Sequence, residues 1–181
     1  MPIHSPLPDP GEPFAFLDPG RLVDGDLMLT LRTCLPGDPA RGWAPSYEFE
    51  MRHTEEGTLL GHISLRIGEN DHLLLYAGHI GYEVLPEHRG HHYAARACRL
   101  LLPLALQHGL ETVWITCDPD NWASRRTCEL AGARFVEIVR VPPNDVLYLM
   151  GHRWKCRYRL DTRPWRPMHR GPFTLAKPQG R

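Results

Sequence analysis

Along residues 47–53 the chain alternates. Tyr47, Phe49 and Met51 are separated by Glu48, Glu50 and Arg52, the period-two pattern of a strand with one buried face. A strand is also read over 27–33, before a Pro/Gly-rich connection over 35–45. Another is read over 59–67, with Glu55, Glu56 and Gly57 turning the hairpin between. Residues 68–71 supply turn chemistry, and the long run over 72–85 should hold a fourth strand. The period then changes. Ala94, Ala97, Cys98, Leu101, Leu104 and Ala105 recur at three and four and predict a helix over 92–107, ended by Gly109 in the left-handed region. Pro103 lacks an N–H and crowds the carbonyl four residues back, so a kink or a two-piece helix is expected around Leu102. A short apolar strand follows over 112–117, then N-cap residues at 118–121, a helix over 122–131 and a stop at Gly132. Two last strands, 134–141 and 153–160, flank a turn at Pro142, Pro143, Asn144 and Asp145. The sum is an α/β (α+β) layered domain without internal repeat.

A length of 181 residues supports one sizeable core, so a single domain over 1–181 is expected. A Pro-rich arm over 1–20 (Pro2, Pro6, Pro8, Pro10, Pro13, Pro19) precedes it and a Pro/Arg-rich tail over 163–181 follows. Hydrophobic residues at 42% and charged residues at 23% place the chain among folding, not disordered, sequences. Lys plus Arg equals Asp plus Glu at 21 each, which removes any global field for nucleic acid or anionic membrane. Cys34, Cys98, Cys117, Cys128 and Cys156 are odd in number and lack CxxC spacing, against a disulfide framework or a common zinc site. With no apolar run near the ~18 residues that span a bilayer and no leader-like start, a soluble cytoplasmic protein is expected.

The chemistry concentrates at 78–94, which runs strand, glycine-containing turn, helix start. Such a turn lets successive backbone N–H groups converge on an anion that the helix dipole favours. Neither a Walker loop nor GxGxxG is present. The stretch Glu87-His88-Arg89-Gly90-His91-His92 resembles the cofactor motif Gln/Arg-x-x-Gly-x-Gly/Ala of the GNAT superfamily of N-acetyltransferases, continuing through Tyr93 and Ala94. Downstream, Asn121 to Ser124 and Glu129 to Ala133 look like the family's Asn-x-x-Ser and Glu-x-x-Gly-Ala helix. Upstream, Gly61-His62-Ile63 and Leu65-Arg66-Ile67-Gly68 resemble a bacterial subgroup of acetyltransferases, similar to those acting on ribosomal proteins. The resemblance spans 21–161.

It implies a GNAT-like three-layer domain. Its central sheet would be mixed and mostly antiparallel, its fourth and fifth strands parallel and splayed near Val84 and Val113, with helices on both faces. Acetyl-CoA would enter the splay as cosubstrate. Val84, Leu85 and Pro86 would bind pantetheine; Arg89, Gly90, His91, His92, Tyr93 and Ala94 would cradle the pyrophosphate. Asn121 would contact pantetheine or cap the second helix. His92 stands where the family has Gly or Ala, and eleven residues, 35–45, replace the two helices that usually wall the acceptor site.

Acetyl transfer to a primary amine of a small molecule or a protein N-terminus needs a base, an oxyanion donor and a proton for the thiolate. The N–H near Val84 suits the oxyanion. His79 and Glu83 share one face of the fourth strand with Gly81 and are the candidate bases, Glu83 if apolar walls raise its pKa. The alternatives are a solvated or ion-paired Glu83 and a His79 hydrogen-bonded to backbone. The family's acid tyrosine would fall at Cys128, so Ser124 and Cys128 are candidates, with Tyr82 and Tyr93 in reserve; a lone buried cysteine more often fills a core. His88, His91 and His92 lack further ligands at metal spacing, so no metal is expected. Arg153, Lys155, Arg157 and Arg159 share one strand face, read as an exposed basic surface. Competing readings are a GNAT-like module that binds acyl-CoA without catalysis and, behind it, a nucleic-acid or ribosome-binding protein using that strand and the tail. The expected partner is an amine acceptor, small molecule or peptide, not a membrane, with the chain as monomer or homodimer.

Overall fold

The computed structural model describes residues 13–163. The prolines at 2, 6, 8 and 10, and the tail from residue 164 with Trp165, lie outside the described residues.

The alternating segments pair in chain order. β1 (Leu22–Asp24), β2 (Leu27–Leu35), β3 (Ser46–His53), β4 (Leu59–Arg66) and β5 (Ile80–Val84) form an antiparallel sheet. β1 has three residues, too few to carry a period, and was not expected. Pairing of Phe49 with Ile63 and of Tyr47 with Leu65 buries these with Leu27, Leu29 and Met51 on one face. Glu48, Glu50, His62, Ser64 and Arg66 take the other.

The run 72–85 is a strand only at its end. Residues His72–Ala77 instead wind into a π turn, where Asn70 Oδ1 accepts from the Leu73 N–H at 2.9 Å and Gly78 N–H donates to Leu73 O at 2.8 Å. Buried Leu73 pins the turn. The apolar run misled because periodicity cannot separate a short buried helical turn from a strand.

α1 (Tyr93–Gln107) crosses to β6 (Thr112–Cys117); α2 (Trp122–Ala131), β7 (Arg134–Arg140), α3 (Val146–Leu149) and β8 (Trp154–Asp161) follow. These last strands form a second sheet in the order β6-β8-β7. Ala97, Cys98, Leu101, Leu104 and Ala105 of α1 pack with Val113, Ile115, Cys156 and Tyr158 and with the apolar face of the first sheet in one continuous core. Of the two forms expected at Pro103, the two-piece helix does not occur: α1 is continuous through it. Pro103 and Arg99, whose carbonyl the proline leaves without its helical donor, both lie on the exposed face, open to solvent. The last turn is closed by bonds from the His108 N–H to Leu104 O and Ala105 O, with Gly109 at φ 84° as anticipated.

The opposite face of the second sheet corrects another expectation. Arg153 and Arg159 are exposed, but Lys155 and Arg157 are each only 7% exposed, and Arg157 reaches the 72–77 turn. Lys155 Nζ donates to Asp118 at 2.8 Å, and His152 shares that carboxylate at 2.8 Å. Arg157 lies 4.0 Å over the Trp114 ring, donates to Leu74 O at 3.1 Å and pairs with Glu137. A buried cation keeps its charge only with such partners, and Asp118 lies far from Lys155 in sequence. The exposed basic surface read from the alternation is therefore confined to the strand's ends.

His79 links the two sheets and makes stability depend on pH. Burial pushes its imidazole below the ordinary value of 6.5. The unfolded chain therefore takes up the proton first as pH falls, so the native state loses stability on the acid side of 6.5 and not above it. Denaturant unfolding is expected to show a decline of up to about 1.4 kcal/mol per pH unit from this group. The His79→Gln variant should lose that part of the slope; an unchanged slope assigns the acid sensitivity elsewhere.

Candidate active site

β5 and β6 meet only at their beginnings. The His79 N–H donates to Trp114 O at 2.7 Å, and the Trp114 N–H donates to His79 Nδ1 at 2.9 Å. Because Nδ1 accepts, Nε2 carries the proton and donates to Gly68 O at 2.9 Å. The imidazole thus occupies the place of a ladder bond. Gly78, at φ 74°, lets the strands touch: a Cβ there would stand 3.0 Å from Trp114 O. Beyond this point no ladder joins the strands, and they open into a wedge. This is the splay expected of the fourth and fifth strands, here β5 and β6.

The wedge leads to a cleft of about 470 Å³ between the end of β5, the start of α1 and one face of α2. Tyr82, Glu83 and Val84 line it from β5; His88, Arg89, Gly90, His92, Tyr93 and Ala94 line it from the turn and α1. Asn121, Ala123, Ser124, Arg126, Thr127 and Leu130 complete it. The turn is tight: Pro86–His88 is one 3-10 turn, Arg89 Nε donates to Val84 O at 3.1 Å, and Gly90 takes φ 89°. His92 is the N-cap of α1 at φ 59°, the sole positive-φ residue other than glycine among the described residues. Of the residues of the resembled motif only glycine suits that conformation better, because any Cβ there costs about 1–2 kcal/mol. No side chain caps α1, so its first N–H groups face the cleft unsatisfied, with the positive end of the dipole behind them.

Along β5 the Leu85 N–H is bonded to Leu60 O at 2.9 Å. Alternation therefore aims the N–H groups of Tyr82 and Val84 away from β4, into the wedge. Leu85, Pro86 and His91 do not line the cleft; of these, Leu85 has its amide committed to β4.

The candidate side chains separate. Glu83 borders the cleft but is exposed, so the apolar walls expected about its carboxyl are not there. His79 is 1% exposed, with both ring nitrogens bonded to backbone, and is not brought to the cleft. Cys128 is fully buried beneath it; its hydrogen bond to Cys117 and then burial push its thiol well up. Ser124 lines the cleft, and its N–H is capped by Asn121 Oδ1 at 3.0 Å. Asn121 thus caps α2 and borders the cleft at once.

Tyr82, kept in reserve from sequence, is the best placed hydroxyl. It crosses from β5 to α2, with its oxygen 2.8 Å from Ser124 Oγ and 3.7 Å from Cys128 Sγ. Burial is the main cause that pushes its phenol far above the ordinary 10, so it holds its proton. Ala123, Arg126, Thr127 and Leu130 were missed, although their spacing puts them on one helical face. Among the described residues no group of three or more His, Cys, Asp or Glu is disposed to hold a metal, and no helix is long and apolar enough to cross a membrane.

No curated protein sequence matches the chain. Solved structures do. A GNAT-family acetyltransferase from Bacillus anthracis is 23% identical, with a TM-score of 0.50 over 64% of this chain and 66% of that one. A protein assigned as a ribosomal-protein-serine acetyltransferase from Vibrio cholerae is 18% identical, with a TM-score of 0.56 over 80% of this chain and 99% of that one. The ribosomal-protein-S5-alanine acetyltransferase from Vibrio fischeri is 18% identical, with a TM-score of 0.51 over 67% and 64%. This chain therefore spans about two thirds of the first and third of these proteins and nearly all of the second. At such identities the likeness is one of fold. The acetyltransferase (GNAT) domain model, however, matches residues 31–134, more than half of the sequence and the whole of the turn, α1 and α2. The chain belongs to the GNAT acetyltransferase family.

Proposed function

We propose that the protein transfers the acetyl group of acetyl-CoA to a primary amine, a small molecule or a protein N-terminus, in the cleft between β5, α1 and α2. The observation that carries this reading is the junction of an uncapped helix N-terminus with an open strand edge. The former suits a pyrophosphate and the latter an extended amide-bearing arm. The backbone from Arg89 to Ala94 holds the pyrophosphate, and Val84 bonds pantetheine.

The amine nitrogen attacks the thioester carbon. As the C–N bond forms, the carbonyl oxygen takes up charge and accepts from the Val84 N–H, a fixed donor. Glu83 accepts the amine proton through water, as an exposed carboxylate. The C–S bond then breaks, and the departing sulfur takes a proton from Tyr82, replaced through Ser124 Oγ. Cys128 and His79 take no part.

Thiol release from acetyl-CoA in the presence of an amine panel tests the activity. Glu83→Gln is expected to lower kcat about 10- to 100-fold and leave acetyl-CoA affinity unchanged. Full turnover in that variant assigns the base elsewhere; no thiol release with any amine favours the binding-module reading.

A further inference from the structure

A second cavity, of about 550 Å³, opens on the polar face of the first sheet, away from α1 and α2. Its walls are the 35–44 connection, the polar face of β3 and β4, and the 70–77 turn. They contribute Trp43, Ser46, Glu48, Arg66 and His72. The connection holds only one 3-10 turn, Pro39–Arg41, where the family's usual helices would stand.

Arg66 is the informative member. Its guanidinium carries five donors, and among the described residues it forms one hydrogen bond, from Nη1 to Gly78 O at 3.2 Å. No carboxylate among the described residues pairs with it. Glu48 shares the wall and favours the cation from a distance, with its Oε1 accepting from Ser46 Oγ at 2.7 Å. Burial works against the Arg66 charge more strongly than Glu48 supports it. A half-buried fork of donors without an anion, facing a cavity, is matched by a carboxylate, which it can take bidentately.

The position adds meaning. A Cβ on Gly81 would lie 3.2 Å from both Nη atoms, so the guanidinium rests directly over Gly81. Gly81 adjoins Tyr82, which lines the acetyl-CoA cleft, and precedes Glu83 by two residues on the same strand face. The row His62–Glu83 and the row Ser64–Gly81 pair across β4 and β5, so the carboxylate fork and the candidate base are neighbours on one surface.

We propose that this cavity is the acceptor site and that Arg66 selects an amine bearing a carboxylate: an amino acid, or a peptide whose first residue is acidic. The role as acceptor rests on the acetyl-transfer reading above; the binding of a carboxylate does not.

The test titrates the full chain, with coenzyme A present, with the common L-amino acids, each beside its carboxamide, and with aspartyl and glutamyl peptides beside their asparaginyl and glutaminyl counterparts. Calorimetry reads binding and thiol release reads transfer. At least one acid should bind, and its amide should bind roughly 10- to 100-fold more weakly. Arg66→Lys keeps the charge but not the fork and should lose about tenfold; Arg66→Met should no longer distinguish acid from amide. Retained acetyl-CoA binding shows that each variant is folded, and if Arg66→Met fails that control, Arg66→Lys decides. Whether free amino acids or peptides respond identifies the source of the carboxylate. Equal binding of acids and amides, no binding by any member of the panel, or full preference in Arg66→Lys overturns the proposal. Transfer to acids and amides alike removes the carboxylate site and leaves the acetyltransferase. Acid-specific binding without thiol release leaves the site and removes the activity.

Discussion

Tyr82→Phe is expected to lower kcat for acetyl transfer by about 100-fold while acetyl-CoA binds as before. The variant removes one oxygen and keeps the ring, so the packing of β5 against α2 survives. What disappears is the hydroxyl 2.8 Å from Ser124 Oγ, which the fold holds at the end of the wedge. Its phenol is buried and remains protonated over the working range. In the proposed mechanism it serves the thiolate as a hydrogen-bond donor first, with the proton following as charge develops on sulfur. Ser124→Ala should cost less, because the serine only restores the proton. Steady-state kinetics with the acetyl-CoA dissociation constant measured separately checks the assignment. An unchanged kcat in Tyr82→Phe moves the acid elsewhere, and a loss confined to affinity makes the tyrosine a part of the cofactor wall.

Gly61→Ala should destabilise the fold by about 3 kcal/mol, lowering Tm by roughly 6–12 °C. A Cβ at this position would stand 2.1 Å from Glu83 O and 2.9 Å from the Val84 Cα, distances that only a shift of β5 can relieve. The tip of buried Met51, the third near atom, can shift, but the other two are backbone and cannot yield without moving the strand. The displaced atoms are those that the cofactor reading uses, because Val84 is the oxyanion donor proposed above and its carbonyl anchors Arg89 Nε. Acetyl-CoA affinity should therefore fall together with stability. Thermal unfolding with and without the cosubstrate separates the two losses. A variant as stable as the parent shows that β4 and β5 can part at this point without cost, against the packing described here.

Residues close in sequence made the fold and the turn that borders the cleft legible. β3 announces itself by alternation within eight residues and α2 by Asn121, its apolar spacing and Gly132 at φ 94°. The turn and start of α1 were readable for the same reason: consecutive backbone amides there are placed by Gly90 and a helix alone. What was not legible depends on partners distant in sequence. The 72–77 turn is helical because Asn70 caps it and the core accepts Leu73. Lys155 and Arg157 are buried because Asp118, Trp114 and the 72–77 turn meet them from three other segments. Tyr82 stood in reserve because its oxygen gains a purpose only from Ser124, on α2. His79 shows the same effect in reverse: its strand face suggested a base, whereas the backbone of β6 and Gly68 claim both nitrogens.

Thermal unfolding of the full chain with and without acetyl-CoA tests the central claim most directly. At about 100 times its dissociation constant the cosubstrate should stabilise the fold by ~2.7 kcal/mol, raising Tm by roughly 5–10 °C. An unchanged Tm at saturating acetyl-CoA would contradict the assignment of the cleft between β5, α1 and α2.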